Sequence, residues 1–104
     1  MSKLGIGVIG VGTLGRRHAE NLRRAIPAAQ LIAVADADGA RAKQVASELE
    51  VQHHYVNVED LVDRKDVQAV VVATPSQFHA SVTRLARETI APRPIPGYTR
   101  ALLA

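Results

Sequence analysis

Leu4-Gly5-Ile6-Gly7-Val8-Ile9-Gly10-Val11-Gly12-Thr13-Leu14-Gly15 is the stretch from which the fold reads outward. Its first six residues are a short apolar run bounded by glycines, the pattern of a buried parallel strand. The last six spell G-x-G-x-x-G. From Thr13 the apolar spacing becomes helical: Leu14, His18, Leu22 and Ile26 recur every four residues, with Ala19 beside them, until Pro27 stops the helix. In that setting each glycine has its own task. Gly10 allows the tight strand-to-helix turn. Gly12, lacking a Cβ, lets the backbone approach a pyrophosphate, and Gly15 lets the helix pack close to the strand. The free N–H groups and the positive end of the helix then face the phosphates.

An acid completes the pattern. Asp36 ends the run Leu31-Ile32-Ala33-Val34-Ala35-Asp36, 21 residues after Gly15. A carboxylate there accepts hydrogen bonds from a ribose diol and repels a 2′-phosphate, which favours NAD over NADP. Arg41, near the start of the next helix, is placed to meet a 2′-phosphate and keeps NADP as the alternative.

Beyond the loop, strands and helices alternate. Strands are expected at Gln30–Asp36, His53–Val56 and Val67–Thr74. Helices are expected from about Ala40 to Leu49, with Asp38 as N-cap, and after Asn57 through Leu61 and Val62, with Asn57 as cap and Asp60 three residues on. A last helix starts at Pro75-Ser76, with Phe78, Val82, Leu85 and Ala86 inward. The order β-α-β-α-β-α-β-α predicts an α/β, Rossmann-type doubly wound parallel sheet of about four strands, order 3-2-1-4 and incomplete. Residues 1–88 read as the dinucleotide-binding domain. Residues 89–104 read as an irregular tail, since Pro92, Pro94 and Pro96 fall within five residues and are followed by Gly97.

The composition agrees. Hydrophobic residues make up 47% of 104, too many for long disorder, and the length admits one small domain only. Without cysteine there is no disulfide scaffold, thiolate zinc site or iron–sulfur cluster. No apolar run spans a membrane, and the first residues do not read as a secretory signal, so the expected location is the cytoplasm. Residues 1–88 hold 11 basic and 10 acidic side chains, a near balance that argues against nucleic acid as partner.

Ile6 to His18 with its Gly-Arg-Arg-His continuation, then Val34-Ala35-Asp36, then Ala73-Thr74-Pro75 with His79, resembles the N-terminal domain of the Gfo/Idh/MocA oxidoreductases, the glucose–fructose oxidoreductase and inositol dehydrogenase group. The resemblance covers about residues 4–88. It implies an NAD(P)-binding fold and hydride transfer to or from a sugar or cyclitol carbinol. It also implies that Gly10, Gly12, Thr13, Leu14 and Gly15 hold the pyrophosphate and Asp36 the adenosine ribose. Thr74, Pro75, Ser76 and His79 would line the cofactor cleft. The family continues into a fifth strand ending in Glu-Lys-Pro, whose lysine is catalytic, and then into a substrate domain. Here Ile90-Ala91-Pro92-Arg93-Pro94-Ile95-Pro96-Gly97-Tyr98 follows instead, and neither Lys3, Lys43 nor Lys65 stands at such a place. On this reading the chain is a dinucleotide domain cut short, with an unrelated tail. Strand 4 would then lie at the sheet's edge, open to self-association.

Other residues have plainer readings. His79 is either a proton shuttle or ribose contact, or makes a local hydrogen bond in the first turn of its helix. His18 reads as packing and His53-His54 as strand residues, with no third metal ligand at suitable spacing. Arg16, Arg17, Arg23 and Arg24 read as the solvated face of the first helix. Two further functions stay open: a dinucleotide-binding module without catalysis, and a methyltransferase using S-adenosylmethionine, which also employs a glycine loop and an acid.

Overall fold

The structure, a computed structural model, describes residues 3–74 and 76–90. Pro75 and the stretch from 91 to 104, with Ile95 and Tyr98, lie outside the described residues. The elements are β1 (Leu4–Ile9), α1 (Thr13–Arg24), β2 (Ala29–Ala35), α2 (Gly39–Glu48), β3 (His53–Tyr55), α3 (Val58–Val62), β4 (Ala69–Val72) and α4 (Ser76–Ile90). All strands are parallel, in the order β3-β2-β1-β4. The expected alternation and strand order therefore hold. The last helix runs through Ile90, which is fully buried, so the domain boundary expected at 88 falls inside α4.

Two cores flank the sheet. α1 and α2 cover one face, where Ile6, Val8 and Val34 meet Ala19, Leu22, Val45 and Leu49. α3 and α4 cover the other, where Ile9, Ala33, Ala35, Val70 and Val72 meet Leu61, Val62, Ala86 and Ile90. Alternate residues of β1 serve opposite faces, as pleating requires. In β2 the pairing with β1 shifts between Ile6 and Gly7, with Ile32 as the extra residue. That bulge is why Leu31 and Val34, three residues apart, share one core. Glycines inside β1 make room for this packing. A Cβ on Gly7 would lie 2.6 Å from Leu61 of α3, and one on Gly5 would lie 2.0 Å from the Asp66 carbonyl oxygen.

Some local expectations are corrected. Of the row Leu14, His18, Leu22 and Ile26 only Leu22 is buried, and α1 packs through it together with Gly15 and Ala19. Leu14 is 60% exposed, and Ile26 lies beyond the helix end at Arg24, 45% exposed. The contact face is set by the small residues that allow close approach to the sheet, not by the largest apolar ones. Phe78, expected inward, is 52% exposed; α4 packs instead through Ala86 and Ile90, with Val82 and Leu85 partly buried. Asn57 stands at the N-cap of α3 but its side chain makes no capping bond; Glu59 and Asp60 in the first turn favour the helix electrostatically. Strand β4 is shorter than the predicted run, because Val67 and Gln68 precede the regular pairing. Asp38 caps α2 as expected, its Oδ1 accepting from the Arg41 N–H at 3.2 Å.

The arginines of α1 are more than a solvated face. Arg16 pairs with Glu20 and reaches Glu48 of α2, while Arg23 Nε–H donates to the Leu49 carbonyl at 3.0 Å. α2 ends in a paired 6→1 and 5→2 pattern, Val51 N–H to Ala46 O and Glu50 N–H to Ser47 O, with Glu50 at φ +58°. Below β4, Arg64 bridges Asp66 and the Tyr55 hydroxyl. This bridge holds the Asp66 carboxyl below its ordinary range and raises the Arg64 guanidinium. Among the described residues no helix is long and apolar enough to cross a membrane, and no group of His, Asp or Glu is arranged to hold a metal.

Candidate functional site

A cleft of about 430 Å³ opens at the carboxyl ends of β1, β2 and β4. That is where an open parallel sheet binds ligands, beside the point at which strand order reverses. Its floor is the turn from β1 into α1. The Gly10 N–H donates to Ala35 O at 2.7 Å and the Ala73 N–H to Ile9 O at 2.8 Å, so the turn is pinned to both neighbouring strands.

The three glycines differ in what the fold asks of them. Gly10 has φ +87°, which side chains rarely adopt, and a Cβ there would sit 2.8 Å from Ala73 O. A Cβ on Gly15 would fall 1.6 Å from the Gly10 carbonyl oxygen. Both are therefore demanded by the fold. Gly12 is different: its φ of −67° suits any residue, and among the described residues a Cβ would meet only the Arg41 guanidinium, at 3.8 Å. Gly12 is also the N-cap of α1, so no side chain caps the helix, and the first turn carries no acid. The positive end of α1 opens into the cleft with no capping side chain of its own.

Asp36 lies at the end of β2 with its side chain only 10% exposed. Its Oδ2 accepts from the Val11 N–H at 2.9 Å and its Oδ1 from the Asp38 N–H at 2.8 Å. The acid thus braces the glycine loop, which the sequence reading did not anticipate. Arg41 reaches over from α2, with Nη1 3.7 Å from Asp36 Oδ2. At the end of β4, Thr74 lines the cleft, and its Oγ1 is buried with no hydrogen-bond partner among the described residues. A buried hydroxyl without a partner is costly unless a ligand supplies one.

Of the predicted residues, Gly10, Gly12, Thr13, Leu14, Asp36, Arg41 and Thr74 come together in this one cleft. Gly15 lies beneath the loop, packed on Gly10. Ser76 opens α4, and Pro75 lies outside the described residues. His79 is not among the lining residues; it sits one turn into α4, its Nδ1 3.5 Å from Thr83 Oγ1. The sequence reading missed the apolar wall of Val56, Val58, Phe78 and Val82. The signal was available: Val56 follows β3 as Asp36 follows β2, and residues just past parallel strands line such clefts.

Comparison with known proteins agrees with this geometry. A model of an oxidoreductase family with an NAD-binding Rossmann fold, GFO_IDH_MocA, matches residues 4–89. The chain is 42% identical over 78 residues to an inositol 2-dehydrogenase of Rubrobacter xylanophilus, covering 75% of this chain and 22% of that protein. It is 34% identical to inositol 2-dehydrogenase 2 of Saccharopolyspora erythraea, in an alignment covering 96% of this chain and 31% of the relative. That alignment runs past residue 90 into the proline-rich stretch. The crystal structure of scyllo-inositol dehydrogenase from Lactobacillus casei, with bound NAD(H) and scyllo-inositol, superposes with a TM-score of 0.78 at 31% identity, over 85% of this chain and 26% of that one. The chain spans about a quarter of the length of such relatives.

Proposed function

The chain belongs to the Gfo/Idh/MocA oxidoreductase family and carries its NAD-binding Rossmann fold, and from that premise we propose that it forms the cofactor-binding part of a dehydrogenase acting on a cyclitol or sugar carbinol. The carrying observation is Gly12. The fold demands glycine at 10 and 15 but leaves open space where a Gly12 side chain would stand. A pyrophosphate would fit against the backbone there, and the N–H groups at the start of α1 are the donors it would take. Thr74 Oγ1, buried without a partner among the described residues, is a second group awaiting a ligand. The residues present therefore fit a dinucleotide.

In this reading Gly10 to Leu14 hold the pyrophosphate and Asp36 accepts the ribose hydroxyls. Val56, Val58, Phe78 and Val82 enclose an aromatic base. The bound nicotinamide supplies the hydride chemistry; the residues described here bind and orient it. We infer that the chain does not itself complete a turnover. Lys3 precedes β1 and Lys65 precedes β4, both at the amino ends of strands, Lys43 lies on α2, and none lines the cleft.

Titrating the full chain with NAD, NADP and S-adenosylmethionine tests the proposal. Saturable dinucleotide binding is expected, with none for S-adenosylmethionine, and no NADH should form with myo- or scyllo-inositol. A folded chain that binds no dinucleotide would overturn the reading. Turnover by the chain alone would overturn its non-catalytic part.

A further inference from the structure

The cleft wall beyond β3 depends on a short element. β3 has three residues, His53–Tyr55, and among the described residues it pairs on one side only, with β2. So short a pairing holds a strand weakly on its own. Yet Val56 and Val58, which line the cleft, follow it directly. Its last residue has a further duty. The Tyr55 carbonyl accepts the Asp36 N–H at 3.0 Å, and the carboxylate of that same Asp36 braces Val11 of the glycine loop. Any displacement of Tyr55 is therefore passed to Val56 and to Asp36.

Main-chain pairing is not all that holds Tyr55. Its ring is partly buried against the core under α3 and α4, and its hydroxyl accepts from Arg64 Nη1 at 3.1 Å. Arg64 lies past the end of α3, on the way into β4. It is gripped in turn by Asp66, Nε to Oδ1 at 2.9 Å and Nη2 to Oδ2 at 2.7 Å. A guanidinium held through two of its nitrogens is a preorganised donor at the third. On the opposite side Val56 is seated against α2, since a Cβ on Gly39, the first residue of that helix, would lie 3.1 Å from Val56 Cγ2. The end of β3 is held between the approach to β4 and the start of α2.

We infer that Arg64 is a positioning residue for the cleft: through the Tyr55 hydroxyl it fixes the end of β3, and with it the Val56 wall and the Asp36 main chain against which the adenosine half of a dinucleotide would rest. The inference rests on the dinucleotide reading above. Arg64 is not among the residues lining the cleft, so its effect on a ligand has to pass through Tyr55.

The test uses the full chain well below its melting temperature, where parent and variants are all folded. Tyr55→Phe keeps the ring in the core and removes only the hydroxyl; Arg64→Ala removes the donor. Each should weaken NAD and 5′-AMP about three- to tenfold. The double variant should bind no worse than the weaker single, because both changes break one bond, and Arg64→Lys should recover part of the loss. Hydrogen exchange supplies a second readout. In Tyr55→Phe the Asp36 amide should exchange about tenfold faster while the amide of Val8, in the middle of the sheet, keeps the parent's rate. A change acting only on overall stability would speed both amides alike and leave the affinity of the folded chain untouched. Variants that bind within about twofold of a parent that itself binds NAD overturn this inference alone. So do single losses that add in the double variant, or an Asp36 amide that exchanges as in the parent. A parent that binds no dinucleotide overturns the earlier reading, and this inference with it.

Discussion

Gly12→Val separates what the fold needs from what the ligand needs. Among the described residues a Cβ at Gly12 meets only the flexible Arg41 guanidinium at 3.8 Å, and the backbone there, at φ −67°, lies outside the left-handed region. The cost to folding is then an apolar residue at a helix N-cap, about 1 kcal/mol, a fall in Tm of roughly 4–8 °C. Binding should suffer far more. The added methyls hold a pyrophosphate away from the amides of the first turn. Losing two charge-assisted hydrogen bonds at ~1.5–3 kcal/mol each weakens dinucleotide more than about a hundredfold. Gly15→Ala is the contrasting variant. Its Cβ would lie 1.6 Å from a backbone oxygen, with no rotamer through which to escape. Overpacking against backbone should cost about 3 kcal/mol or more, much of a small domain's stability. Circular-dichroism melts and NADH fluorescence titrations read the two effects. If Gly12→Val binds within threefold of the parent, or melts as low as Gly15→Ala, the division of tasks among the glycines is wrong.

Asp36→Ala should weaken NAD by about 1–3 kcal/mol and shift preference toward NADP. It should also lower Tm, because the Val11 and Asp38 N–H groups lose their acceptors; unchanged selectivity or an unchanged melt would contradict the double role. Asp66 is held below its ordinary range by Arg64, so its contribution is present above about pH 4 and lost as pH falls through the lower folded-state value. Urea titrations from pH 6 to pH 2 should therefore show a shallower acid loss for Asp66→Asn, by at most about 1 kcal/mol given solvent screening. Parallel curves for parent and variant would remove the pair from the pH response. Glu50→Gly should raise stability by up to about 1 kcal/mol, since Glu50 sits at φ +58° and its pair with Arg23 is exposed; a lower Tm would count against that account of the helix end. Among the described residues β4 forms one edge of the sheet. Sedimentation should show concentration-dependent self-association through it, and a monomer from micromolar to millimolar concentration would refute this.

The backbone plan was legible because its signals are local and redundant. A glycine-bounded apolar run, a glycine turn and an acid in register permit few folds, and the strand order follows from right-handed crossovers. Helix faces were less legible. In α1 the eye follows Leu14, His18, Leu22 and Ile26, but distance to the sheet is governed by Gly15 and Ala19, whose smallness is the signal. Phe78 misled for a related reason: at the mouth of a ligand cleft, a large apolar residue need not face the core. The brace from Asp36 to Val11 could not be read at all. It depends on which of several main-chain donors a carboxylate meets, and only the folded turn decides that.

β1 lies at the centre of the sheet yet is made first. Its partner on one side, β2, begins at Ala29, but its partner on the other, β4, begins only at Ala69. While the chain emerges from the ribosome, β1 to β3 with α1 and α2 can assemble early, leaving the far edge of Ile6 to Ile9 unpaired until β4, some sixty residues after β1, is available. Of the strand pairings, that one closes the longest stretch of chain and carries the largest loop-closure cost. The cleft needs Ala73 and Thr74, just beyond β4, so it comes into being with that same closure. A ligand that recognises the finished cleft binds only after that closure, and is expected to slow unfolding and leave the speed of folding unchanged.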